Sequence, residues 1–295
     1  MKTQGEHLMT TQTLIEINNE KCIKCGLCSK ICSCDVIKFE KGNYPEISNK
    51  NIQNCMHCQH CFSICPAGAL TFDGISDGDT SSIGEIPNQE LMLNLIKKRR
   101  SCRNFKDANV DKEIIKKLTD MTAWVPTGCN DHRLHFSVID DKEELIKFKN
   151  ILNEEFTKTF SKLRLAKELI DQGHLKVDYK KFVQFKRLIS SKEDKIFRNA
   201  PHLVVVAYPK DAPCGPIDSV IALSYFELYA QTLGLGTLWC GMAQWFLLAL
   251  PKLCKYLEIP KNYKPGYVML FGNSNENYKR TTKPKSCSIK HVEIK

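Results

Sequence analysis

Two runs of cysteine dominate the chemistry that this sequence can do. CIKCGLCSKIC begins at Cys22 and CMHCQHCFSICP at Cys55, so the spacing C-x2-C-x2-C-x3-C occurs twice, 33 residues apart. Three thiolates at this spacing lie on one short loop that wraps an iron–sulfur cubane, while the fourth is carried by the following helical turn to the neighbouring cluster. Ligation is therefore expected to cross. Cys22, Cys25, Cys28 and Cys65 would hold one [4Fe-4S] cluster, and Cys55, Cys58, Cys61 and Cys32 the other. Structural zinc uses paired C-x2-C elements, and four-cysteine runs ending in Cys-Pro are not its pattern. Nine of the fifteen cysteines fall between Cys22 and Cys65, and the rest are scattered singly. The scattered ones read as buried thiols, with Cys240 the one to watch.

The two runs closely resemble the bacterial two-cluster ferredoxin family, whose second motif ends in Cys-Pro as Cys65-Pro66 does. The first motif departs from it at Ser33, where proline is usual, adding a hydroxyl and an N–H that can donate to a cluster sulfur and shift its potential. Cys34 reads as a bystander thiol. LIEIN (14–18), VIKFE (36–40) and ALTFD (69–73) alternate as short strands around the loops. So small a core leaves the clusters to supply much of the stability.

A second concentration of chemistry follows at Arg99-Arg100-Ser101-Cys102-Arg103, three guanidiniums and a hydroxyl at the end of a helical segment. Arginine's planar donors match phosphate oxygens, although such a cluster alone is weak evidence for a site. RRSCRNF, followed by AWVPTGCN and then LGLGTLWCG, resembles the FMN-dependent nitroreductase family in order and spacing over residues 90–295. The resemblance implies an α+β sandwich with a central, mostly antiparallel sheet flanked by helices, and FMN as cofactor. It places the FMN phosphate on Arg99, Ser101 and Arg103 with Arg100 beside them. It lines the flavin with Pro126, Thr127, Gly128 and Asn130, and brings Leu238, Trp239, Cys240 and Gly241 to flavin N5. The basic tail YKRTTKPKS would return Arg280 and Lys283 to the phosphate. A homodimer is implied, with IKHVEIK (289–295) as a strand added to the partner's sheet. After Asn130 the chain departs from the family, reading Asp-His-Arg-Leu-His, which makes His132 a candidate proton donor beside Cys240.

These groups need elements to position them. Residues 74–88 (GISDGDTSSIGEIPN) have nothing to bury. We therefore expect a ferredoxin-like domain at 1–75, a linker at 76–89 and a flavin-binding domain at 90–295. ELMLNLIKKR, VDKEIIKKLTDMTAWV and SVIALSYFELYAQTLG (219–234) have helical spacing, and HFSVID (135–140), HLVVVAY (202–208) and GYVMLFG (266–272) read as strands. Helices and strands alternate, as in a mixed α+β domain. Residues 151–198, crowded with Lys, Phe and Leu, are expected to form a helical insertion or lid.

Composition narrows the function classes. With 42% hydrophobic and 26% charged residues and no apolar run of about 18, no membrane span is expected. The N-terminus lacks a secretory pattern, which points to the cytoplasm. Residues 1–75 balance seven basic against seven acidic side chains, so the whole excess of ten positive charges lies beyond them. Those lysines are interleaved with acids, which argues against nucleic acid. No G-x-G-x-x-G follows a predicted strand, so the clusters are the expected electron inlet, with ferredoxin or a similar donor. FMN would pass electrons to a nitroaromatic, quinone or activated alkene. The alternatives are an electron carrier or redox sensor without its own substrate, an NAD(P)H-dependent nitroreductase, and flavin-dependent dehalogenation or flavin breakdown.

Overall fold

A computed structural model describes residues 14–160, 179–191, 193–285 and 287–294. The chain forms two compact units, Met1–Ile86 and Pro87–Lys295.

In the first unit, β1 (Ile15–Ile17) pairs antiparallel with β4 (Leu70–Phe72), and β2 (Ile37–Lys38) with β3 (Glu46–Ile47). VIKFE therefore contributes only two residues of strand. Helices α1 (Leu27–Ile31) and α2 (His60–Ser63) each follow a cysteine loop. The 33-residue repeat holds at the level of backbone angle. Lys24 and His57 are left-handed at φ 56° and 52°, as are Gly26 and Gln59 at 71° and 56°, and Asp35 and Gly68 at 54° and 56°. Such angles are costly for side chains other than glycine, so their recurrence marks one loop geometry imposed twice.

The second unit contains α3 (Gln89–Lys98), α4 (Lys112–Asp120), β5 (His135–Ile139), α5 (Lys142–Phe160), α6 (Tyr179–Ile189) and β6 (His202–Pro209). It continues with α7 (Gly215–Thr232), β7 (Leu235–Trp239), α8 (Gly241–Ala249), α9 (Leu253–Tyr256) and β8 (Tyr263–Asn273). Its sheet runs β5-β6-β8-β7, antiparallel throughout. Side chains alternate across a strand. Val204, Val206, Met269 and Phe271 therefore pack toward Phe226 of α7 and Leu118 of α4. Leu203, Val205, Val268 and Leu270 pack instead toward Phe148, Leu152 and Phe156 of α5 and Phe246 of α8. Burial on both faces explains the unbroken apolar run in HLVVVAY.

LGTLW forms strand β7, an element not singled out from the sequence, where Gly236 interrupts the alternation. Two expectations are corrected. Trp124 ends the segment after α4 in a 3-10 turn, Met121–Trp124, rather than continuing the helix. Finally, α5 runs unbroken through residue 151, and its buried phenylalanines belong to the core, so residues 151–160 are no lid. Residues 161–178 and 192 of the expected insertion lie outside the described residues. Residues 287–294 form no helix or strand.

Candidate functional site

The first unit gathers its cysteines around two cavities. One is lined by Cys22, Cys25, Cys28 and Cys65. The other is lined by Cys55, Cys58, Cys61 and Cys32, with Ser33 and Cys34 also at its wall. The last cysteine of each motif thus stands at the cavity of the other. The backbone N–H of Val36 donates to Cys32 Sγ (3.4 Å), and that of Ala69 to Cys65 Sγ (3.3 Å), again 33 residues apart.

Among the described residues no three His, Cys, Asp or Glu side chains converge as ligands of a single metal ion. Ligands of one zinc ion meet about 2.3 Å from a common point. A cubane offers each thiolate its own iron, so its ligands stand apart around a cavity, and this arrangement fits a cluster better than an ion. Burial pushes the Cys28 and Cys55 thiols up, and Cys61 to about 11, with neighbouring sulfurs adding to the effect. Such thiols ionise when a cationic iron centre takes up the charge.

In the second unit, the chain leaving α3 runs alongside β7. Ser101 forms a parallel bridge with Thr237, and the Cys102 N–H donates to the Thr237 carbonyl (2.8 Å). Arg100 and Cys102 line a cavity of roughly 160 Å³ with Lys98, Gln231 and Tyr278. Arg103 is exposed beyond them. Arg100 caps α3: its Nη1 donates to the carbonyls of Lys97 (2.8 Å) and Arg99 (2.6 Å). Arg99 is half-exposed, with Nη1 3.4 Å from Glu227 Oε1.

The PTGCN loop is pinned to the start of α7, where Asp218 Oδ1 accepts from the Gly128 N–H (2.9 Å). Thr127 Oγ1 accepts from the His132 N–H (3.0 Å), and His132 Nε2 donates to Asn130 Oδ1 (2.9 Å). Pro126 is exposed beside them, and Cys129, Asn130 and His132 all have left-handed φ. The His132 ring is therefore engaged within the loop that it follows.

Leu238 and Trp239 end β7, Cys240 caps α8, and Gly241 opens it. The first N–H groups of a helix have no backbone acceptor of their own, so the start of α8 offers donors to an electron-rich partner. A Cβ on Gly241 would lie 3.0 Å from Tyr267 Oη. Cys240 is corrected as a candidate for chemistry: its side chain is buried, Sγ donates to the Ile196 carbonyl (3.6 Å), and burial raises the thiol to about 11. Arg280 and Lys283 are exposed beyond the last strand, in a segment without helix or strand.

Sequence reading missed Glu227, Asp218 and Thr237. Glu227 accepts from Thr237 Oγ1 (3.1 Å) and Trp239 Nε1 (3.0 Å) as well as from Arg99, tying two of the recognised motifs together. The available signal was a lone glutamate on the apolar face of SVIALSYFELYAQTLG, which needs partners to be buried there.

No curated protein matches this chain. Among solved structures, a nitroreductase with bound FMN from Bacteroides fragilis is 20% identical, with a TM-score of 0.55 over 70% of this chain and all of that one. A nitroreductase with bound FMN from Desulfitobacterium hafniense is 21% identical, with a TM-score of 0.52 over 70% of this chain and all of that one. Both likenesses are of fold. The 4Fe-4S dicluster domain matches residues 21–69, and the nitroreductase family matches residues 96–273. The chain belongs to the nitroreductase family and carries a 4Fe-4S dicluster domain ahead of the family's own.

Proposed function

We propose that the protein is an FMN-dependent oxidoreductase that takes electrons from ferredoxin or a similar low-potential donor through two [4Fe-4S] clusters. The observation that carries this reading is the joining of a dicluster domain to a nitroreductase domain in one chain. Cys22, Cys25, Cys28 and Cys65 would ligate one cluster, and Cys55, Cys58, Cys61 and Cys32 the other. FMN would supply the exchange between single electrons and hydride that clusters alone lack, delivering the pair to a nitroaromatic, quinone or activated alkene.

The residues at hand suit that cofactor. Arg99, Ser101 and Arg103 form an anion cradle, with Arg280 and Lys283 on the tail as further cations. Gly128 and Asn130 sit on a loop held by Asp218, suited to lining a flat ring. Trp239 and Gly241 stand where the unpaired donors of α8 would favour negative charge on the reduced ring. His132, bound to Asn130, orients that loop.

Two apolar surfaces support a homodimer. Helix α7 buries one stripe but exposes Ile217, Val220 and Tyr225 on another, and α3 exposes Leu91, Leu93 and Ile96. A helix apolar on both sides is expected to be covered on both. We place the protein in the cytoplasm; among the described residues no helix is long and apolar enough to cross a membrane.

Anaerobic rapid mixing tests the scheme. Reduced ferredoxin should reduce the flavin of the wild-type protein and fail to do so after Cys22→Ala or Cys55→Ala. Flavin reduction by NAD(P)H that survives both substitutions would sink the cluster-relay route. Iron and sulfide without FMN binding would leave an electron carrier.

A further inference from the structure

Glu227 is a carboxylate where the packing calls for a hydrocarbon. It lies on the face of α7 that buries Ala222, Leu223, Phe226 and Ala230, and is itself 5% exposed. An apolar residue of similar volume is often at least as stabilising as a buried ion pair, so stability is a poor account of its presence. Its three donors come from two places. Oε1 accepts from Arg99 and Thr237, and Oε2 from the Trp239 indole. Thr237 and Trp239 alternate onto one face of β7, and Thr237 is tied through its backbone to Ser101 and Cys102. One carboxylate thereby joins the anion cradle to the strand end that leads into α8.

We propose that Glu227 is a positioning residue and buried counter-charge of the flavin site, one that lowers both the hold on the phosphate and the flavin's reduction potential. The inference rests on the FMN reading given above. Only one of Arg99's five donors is directed at Glu227, so the guanidinium is held in place with its other N–H groups free for an anion. The negative charge opposes a phosphate dianion bound there and opposes the extra electrons of reduced flavin near α8. Buried charges interact over several ångströms far more strongly than charges in water, so the effect is measurable.

The test is spectroelectrochemistry on the FMN-loaded full-length protein, with FMN and riboflavin affinities measured alongside. Glu227→Gln keeps an acceptor oxygen for Arg99 and Thr237 but removes the charge. It should raise the flavin midpoint potential and increase the preference for FMN over riboflavin on the order of tenfold. Glu227→Asp keeps the charge and should stay near wild type in both. Trp239→Phe removes a donor, leaves the carboxylate less compensated, and should lower the potential; this variant serves if Glu227→Gln does not fold. Unchanged potential in Glu227→Gln, equal shifts in the Gln and Asp variants, or a raised potential in Trp239→Phe would overturn the proposal. Wild-type protein that binds neither FMN nor riboflavin would overturn the FMN reading itself, and this inference with it.

Discussion

Gly128 has no room for a side chain: a Cβ there would lie 2.5 Å from Cys214 Sγ and 2.6 Å from Cys214 Cβ. Gly128→Ala must push the PTGCN loop off α7, at a cost of about 1–3 kcal/mol from overpacking. We expect lower thermal stability and a weakened FMN complex, read by differential scanning fluorimetry and by flavin release on dilution. His202 sets a second expectation. It is fully buried, accepts from the Val110 N–H (2.8 Å), and burial lowers its pKa to about 4. The unfolded histidine, near 6.5, binds a proton that the folded one refuses, so stability is complete above about 6.5 and falls as pH drops toward 4. Across that window the loss approaches about 1.4 kcal/mol per pH unit. Urea unfolding at pH 7 and pH 5 should show a smaller loss for His202→Gln, which keeps an acceptor for Val110. Such residues separate what a sequence displays from what it conceals. Metal ligation fixes residue type and spacing together, so the cysteines were legible as a set. Glu227 was not, because Arg99 is remote along the chain and Thr237 and Trp239 meet it only once β7 folds back against α7.

At the scale of elements, the strands legible in advance were those buried on both faces or cleanly alternating. Strand β7 was hidden because Gly236 replaces a side chain where Cys102 closes in: a Cβ there would lie 2.8 Å from Cys102 Sγ. The same crowding lets the RRSCR segment lie against the sheet edge, so Gly236→Ala should separate the two and weaken FMN more than riboflavin in equilibrium titration. Helix α3, which delivers that segment, starts at Asn88, whose side chain accepts from the Leu91 N–H (2.9 Å). Asn88→Ala should destabilise the helix by about 1 kcal/mol, seen as faster amide exchange across Gln89–Lys98. Its end is capped by Arg100, which donates to the carbonyls of Lys97 and Arg99, a role that the sequence did not display.

At the scale of the whole molecule, the homodimer proposed above would cover the apolar stripe on α7 and the exposed Ile289, Val292 and Ile294. Truncation after residue 285 should lower the mass seen by sedimentation and release FMN together; a truncated protein that remains a flavin-loaded dimer would exclude the tail from both roles. The alternation of IKHVEIK made the tail's part of this arrangement legible in the sequence, whereas the stripe on α7 was hidden in a helix that is apolar on more than one side. The cysteine cavities carry a consequence for biosynthesis. Each is walled by both motifs, so a ribosome that has released only the first motif has made no complete cavity. The cysteines around the cavity of Cys55, Cys58 and Cys61 are all present once Cys61 emerges, because Cys32 is already out. The set that begins earlier in the chain waits for Cys65. The second motif thus sets when either cysteine set is complete, and the set that starts first is the last to be completed.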